Sequence, residues 1–227
     1  MRSINWALAA LVGCGLAAGP ASAQQPPSAF GPQSRFVVVL DAAHGGDDPG
    51  ARLSNGQPEK AFTLALSVKL RSLLAARGIQ VVTTRESDTA VDSNQRAETA
   101  NHAAAQACLI LHASESGSGV HLFASSLAPA PPTRFAAWKT AQAASVTRSL
   151  ALAGALNSAL LRSGMQVTLG RTALPTMDSM TCPAVALEVA PERDGQKIVS
   201  GLDNEGYQAR VSRALADALL EWRSEAR

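Results

Sequence analysis

Five apolar residues in a row, Phe36-Val37-Val38-Val39-Leu40, run directly into Asp41. A strand with one wet face alternates apolar and polar side chains, so an unbroken run predicts a strand buried on both faces, as in parallel sheets. Comparable runs recur at residues 79–84, 108–111, 120–124, 165–169 and 184–187. Helical patterns lie between them. Residues 59–77 place Phe62, Leu66, Leu70, Leu73 and Leu74 on one face and stop at Gly78, a residue suited to the left-handed turn that ends a helix. Residues 93–107, capped by Asp92 or Ser93, and residues 140–162, ending before Gly164, read as two more helices. A last helix over 204–223 aligns Tyr207, Val211, Leu215, Ala218 and Trp222. The predicted fold class is α/β: a three-layer, mostly parallel twisted sheet of about six strands with helices on both faces.

The 227 residues open with Arg2, an apolar stretch over 6–18 and the small-residue end Ala21-Ser22-Ala23. That is the form of a cleaved export signal over residues 1–23. Residues 24–34, rich in Pro and Gln, read as a tether, and 35–227 as one catalytic domain of ordinary size. The expected location is the periplasm or the extracellular space. Leu11-Val12-Gly13-Cys14 looks like a lipobox, but the apolar stretch continues past Cys14, so a plain signal is the preferred reading over a lipid anchor. The mature chain keeps Cys108 and Cys182; both fall in or beside apolar runs, and their pairing is left open. A formal net charge of +2 without a Lys/Arg run speaks against nucleic acid, and no later apolar segment is long enough to span a membrane. A monomer is expected.

In open α/β sheets, ligands gather beyond the carboxyl ends of the strands. His44 follows the first apolar run by four residues, His112 follows the third, and Glu188 ends the sixth. Glu59, in the first turn of the first helix, reaches the same edge if the Gly-rich loop over 45–56 folds back. Two histidines and a carboxylate around an open position form a recurrent catalytic Zn²⁺ site, and a further carboxylate can move protons. Each residue also has an ordinary reading: a loop histidine, a Glu favoured by the helix dipole, a carboxylate with a buried partner. His102 and His121 read as structural, the latter on a strand running away from His112. Asp47 and Asp48 read as loop-capping, and Arg85 and Arg96 as partners of internal carboxylates.

These segments resemble the zinc-dependent N-acetylmuramoyl-L-alanine amidases of the Amidase_3 family. Residues 41–51, Asp-Ala-Ala-His-Gly-Gly-Asp-Asp-Pro-Gly-Ala, are similar to its Asp-Pro-Gly-His-Gly-Gly-x-Asp-Pro-Gly-Ala loop. Glu59-Lys60, the Thr84-Arg85 segment, Arg96 to Asn101, Ile110 to Ala113 and Pro183 to Glu188 resemble its later motifs in order. The resemblance implies metal ligation by His44, Glu59 and His112, a catalytic Glu188, Zn²⁺ as cofactor, peptidoglycan as substrate and, in some relatives, an activator protein. The implied reaction is hydrolysis of the amide between N-acetylmuramic acid and L-alanine, as in cell-wall remodelling or daughter-cell separation. The chain departs from the pattern at Ala42-Ala43 for Pro-Gly, at Ser114 for Asn, and at Val189-Ala190-Pro191 after the glutamate. The departures leave a second reading, a catalytically degenerate module that binds peptidoglycan or a partner. The stretch between His121 and Met165 is short for an autoinhibitory insertion, so an open site is expected.

Overall fold

The computed structural model describes residues 35–133 and 137–225; the expected signal, tether and Cys14 lie outside the described residues. Six strands form one sheet: β1 Val37–Ala42, β2 Gln80–Thr83, β3 Ala107–Ala113, β4 Val120–Ser125, β5 Val167–Thr172 and β6 Ala184–Val189. Their order is β2-β1-β3-β6-β4-β5. Every pairing is parallel except β4 with β6, so β4 and β5 run opposite to the other four. The mostly parallel sheet is as expected, with one reversal that decides which residues reach the site.

The two faces are filled by alternate residues of the same strands. Val38, Leu40, Leu109, Leu111, Val185 and Leu187 pack with helices α1 (Glu59–Ala75), α3 (Val146–Arg162) and α5 (Glu205–Glu225). Val39, Cys108, Ile110, Ala184 and Ala186 face α2 (Ser93–His102) and the single turn α4 (Pro175–Asp178). Burying both faces explains why the strands read as continuous apolar runs. Among the described residues, no helix is long and apolar enough to cross a membrane.

Three expectations need correction. The helix expected over 93–107 ends at His102, because Ala104 takes a positive φ of 47° and the chain turns so that Ala107 and Cys108 enter β3. The helix expected over 140–162 is broken: Trp138–Ala144 is a 3₁₀ segment, and α3 begins only at Val146. The break lets the fully buried Gln142 donate to the carbonyls of Met180 and Cys182 at 2.9 and 3.0 Å, capping backbone ahead of β6 that no strand pairs. Third, the fifth strand starts two residues later than its apolar run. A short hairpin, β7 (Glu192–Asp194) and β8 (Lys197–Ser200), follows β6 and carried no apolar signal.

Cys108 and Cys182 form a disulfide with a Cα–Cα distance of 6.2 Å, tying the start of β3 to the segment before β6 across 74 residues of sequence. The bridge lies in the core at the edge of the sheet remote from His112 and Glu188. A cross-link closing so long a loop restricts the unfolded chain. Urea unfolding in the presence of reductant should therefore show a stability about 2–4 kcal/mol lower than in oxidising buffer; coincident unfolding curves would show that the bridge contributes nothing.

Candidate metal centre and active site

The first ligand loop leaves β1 through three consecutive residues in positive φ: His44 at 63°, Gly45 at 134° and Gly46 at 60°. A side-chain-bearing residue in that region costs free energy, so something must hold it. Two buried arginines do so. Arg96 donates from Nη1 to Asp41 Oδ1 at 2.6 Å and to the Ala42 carbonyl at 2.7 Å, and from Nη2 to the His44 carbonyl at 2.8 Å. Arg85 donates to the carbonyls of Ala42, Ala43 and Lys60 at 2.9, 3.0 and 2.7 Å. Arg96 thus pairs with an internal carboxylate as expected, whereas Arg85 instead serves carbonyls at the end of β1 and in the first turn of α1.

Folding back of the loop brings three ligand residues together. Glu59, 4% exposed, points Oε2 at His44 Nε2 (3.1 Å) and Oε1 at His112 Nδ1 (3.0 Å). The same oxygens accept from the backbone N–H of Ala51 and Ala113, each at 3.0 Å, fixing the carboxylate between the loop and the end of β3. One ligand atom from each of His44, Glu59 and His112 lies within 4.8 Å of the others. Gly50 is what allows this closeness: a Cβ there would fall 2.6 Å from His44 Cδ2 and 2.7 Å from Glu59 Oε2.

The electrostatics follow from the packing. Burial pushes the Glu59 carboxyl up, but hydrogen bonds from His112, His44 and the two backbone amides outweigh it and hold the group far below the usual carboxylate range. The bond to Glu59 raises the His44 imidazole above its ordinary value against the effect of burial, and Asp48 adds to the rise. Asp48, expected only to cap the loop, contacts His44 Nδ1 through Oδ2 at 2.7 Å and accepts from Gly50 N–H through Oδ1 at 3.0 Å. A carboxylate behind a histidine orients the ring and leaves Nε2 toward the ligand position. Two imidazoles and one carboxylate, converging on one point with that outer support, fit a tetrahedral divalent site with an open position.

Glu188 is directly across from His112 in the β3–β6 register, and directly opposed residues share a sheet face. Beside them opens a cleft of about 260 Å³ lined by His112, Glu188, Ala186, Leu187, Phe123, Thr172 and Leu174. Gly170 leaves room for the Phe123 ring, which a Cβ would meet at 3.0 Å. The segment between His121 and Met165 contributes α3 to the opposite face of the sheet and the 3₁₀ stretch Trp138–Ala144, which packs on α4. His102 ends α2 as an exposed residue outside this cluster. His121 does sit on a strand directed away from the edge, but as its second residue it stands opposite Glu188.

Residues 38–221 match the Amidase_3 family, described as N-acetylmuramoyl-L-alanine amidase. The chain is 42% identical over 77 residues to the N-acetylmuramoyl-L-alanine amidase AmiA of Escherichia coli K12, which covers 34% of this chain and 27% of AmiA. It is 37% identical over 82 residues to the sporulation-specific N-acetylmuramoyl-L-alanine amidase of Bacillus subtilis 168, covering 35% of this chain and 32% of that one. These matches span between a quarter and a third of the length of each relative. Among solved structures, the catalytic domain of CwlV, an N-acetylmuramoyl-L-alanine amidase from Bacillus (Paenibacillus) polymyxa var. colistinus, superposes with a TM-score of 0.66 at 27% identity. The superposition covers 83% of this chain and 98% of that domain. With a match running from β1 into α5 and the same fold, the chain belongs to the Amidase_3 family of N-acetylmuramoyl-L-alanine amidases.

Proposed function

We propose that this protein is an exported, zinc-dependent amidase that hydrolyses the bond between N-acetylmuramic acid and L-alanine in peptidoglycan. The observation that carries the reading is the convergence of His44, Glu59 and His112 with Glu188 one strand away on the same face. Family membership supplies the substrate class, and the buried disulfide supports an oxidising compartment.

His44, Glu59 and His112 would hold the ion. Bound there, Zn²⁺ supplies a Lewis acid that acidifies water and polarises a carbonyl. The chain's own contribution is made by Glu188. Its carboxylate takes the proton of the attacking water and returns it to the departing L-alanine nitrogen, which leaves as a neutral amine rather than an amide anion. Asp48 keeps His44 in the ligating tautomer, and the backbone amides of Ala51 and Ala113 keep Glu59 ionised and aimed. The adjoining cleft, with Ala186, Phe123 and Leu174 as apolar wall, excludes water from part of the substrate next to the scissile bond.

Mass spectrometry of purified muropeptides after incubation with the mature domain tests the reading. Zinc-dependent release of stem peptides with a free L-alanine amino terminus is the expected result. Glu188→Gln should lower turnover by at least about 10²-fold while zinc content is retained. His112→Ala should lose both. A folded, zinc-loaded protein that releases nothing would refute the enzymatic reading and leave the binding module.

Gly50→Ala tests the cradle separately. The new methyl clashes with two ligands and must adopt a φ of 65°, so Zn²⁺ affinity, measured by competition with a chromophoric chelator, should fall at least about tenfold. Unchanged affinity would show that the ligands do not need this close approach.

A further inference from the structure

The reversal of β4 and β5 extends the active edge beyond Glu188. In register, His112 opposes Glu188, Glu188 opposes His121, and His121 opposes Thr168, so four side chains cross β3, β6, β4 and β5 on one face. Directly opposed residues on neighbouring strands have Cβ atoms roughly 5 Å apart. His121 therefore stands one strand past the proposed acid/base and two past the metal ligand His112. It is partly exposed, and its ring is fixed by a 2.5 Å contact between Nδ1 and Thr168 Oγ1. Nε2 has no hydrogen-bond partner among the described residues. The chain passing in front of it does so at Gly117, φ 78°, where a Cβ would lie 2.5 Å from Nε2 and 2.7 Å from Cε1. Gly117 therefore packs against the Nε2–Cε1 edge as closely as only a glycine can, and an added methyl would collide with the ring.

The chemistry gives the row a direction. The metal side of Glu188 takes the carbonyl oxygen of the scissile amide, and Glu188 must reach its nitrogen. Groups beyond Glu188 then face the leaving amine, which is the peptide. We propose that His121 is a positioning residue for the stem peptide: Nε2 hydrogen-bonds a polar group of the second residue after the scissile bond, beyond L-alanine. An extended peptide advances about 3.3–3.6 Å per residue, so the strand spacing of roughly 4.8 Å past Glu188 is covered only on reaching the second residue. The inference rests on the amidase reading and adds to it a determinant of stem-peptide length.

The test compares kcat and KM of the wild type, His121→Ala and His121→Gln on two substrates, N-acetylmuramoyl-L-alanine and N-acetylmuramoyl tetrapeptide. In His121→Ala the ratio of kcat/KM for tetrapeptide over the short substrate should fall about tenfold, the worth of one hydrogen bond, and mainly through KM. His121→Gln, which keeps a side-chain N–H, should recover part of that ratio. In zinc-loaded Glu188→Gln protein, the released tetrapeptide should shift the His121 ring resonances in ¹⁵N NMR, reporting contact without turnover. Equal losses on both substrates in both variants, or ring resonances that do not move, would overturn the role of His121 and leave the amidase intact. A zinc-loaded wild type that cleaves neither substrate would overturn the amidase reading and this inference with it.

Discussion

The site depends on one buried ion pair. Asp41 and Arg96, 1% and 6% exposed, meet at 2.6 Å where β1 ends, and the same guanidinium reaches the carbonyls of Ala42 and His44. A buried charge pair is costly to assemble and worth keeping only when its remaining hydrogen-bonding capacity is used. Here it is used on backbone that would otherwise be unpaired. Thr84 donates to the same Asp41 oxygen at 2.6 Å, and Arg85 shares the Ala42 carbonyl with Arg96 and adds those of Ala43 and Lys60. The strained φ of His44 is thereby set by the interior of the domain, and the metal-facing ring follows from the backbone. Lys60 adds an outer brace, donating to the Gly46 carbonyl and to Asp88 Oδ2, each at 2.7 Å, while Asp88 Oδ1 accepts from Gly46 N–H.

This clamp explains why the loop tolerates alanines where the family has Pro-Gly. The positive φ values begin at His44, and Ala43 is not among them, so no glycine is required there. Ala43 also donates its N–H to the Leu111 carbonyl at 3.1 Å, and both alanine side chains are buried at 1% and 5% exposure. The departure after Glu188 is absorbed in a similar way. Ala190 donates its N–H to the Gly119 carbonyl in the loop before β4, Gly119 donates back to the Pro191 carbonyl, and the buried Tyr207 hydroxyl donates to the Ala190 carbonyl at 2.7 Å. Ser114 receives the Ser116 N–H on its hydroxyl and pairs its own N–H with Val189. Each substitution changes a side chain where the neighbouring structure is held mainly through backbone.

The fold was legible because strands buried on both faces leave apolar runs that no other arrangement would produce, and the four chemical positions fall where those runs or the first helix end. What escaped the reading lacked a local signal. Residues 103–107 are alanine-rich and favour helix by propensity, but β3 claims Ala107 and Cys108, and tertiary pairing overrides the local preference. The β7–β8 hairpin has no apolar alternation, and its two-residue loop Gly195-Gln196 offers a lone glycine, at φ 58°, as its only mark. Asp48 could not be assigned to His44 from sequence, since the contact depends on the loop doubling back. The disulfide was likewise undecidable until β3 and β6 were known to be neighbours.

Strand direction is the deepest of these gaps, because it governs which residues share an edge. In an all-parallel sheet only the residues that end strands reach the catalytic side, and the sequence search therefore stopped at His44, His112 and Glu188. Reversing β4 and β5 brings strand-starting residues to the same edge, so His121 and Thr168 join a face their own position along the chain would not predict. The remote edge is braced as well. There the disulfide and the Gln142 amide, with Ser149 donating to Gln142 Oε1 at 2.6 Å and accepting from Ala184 N–H at 2.9 Å, lock β3, α3 and β6 together. Both ends of the sheet are therefore held by buried polar networks, the remote one joining secondary-structure elements to each other and the reactive one aiming the ligand loop.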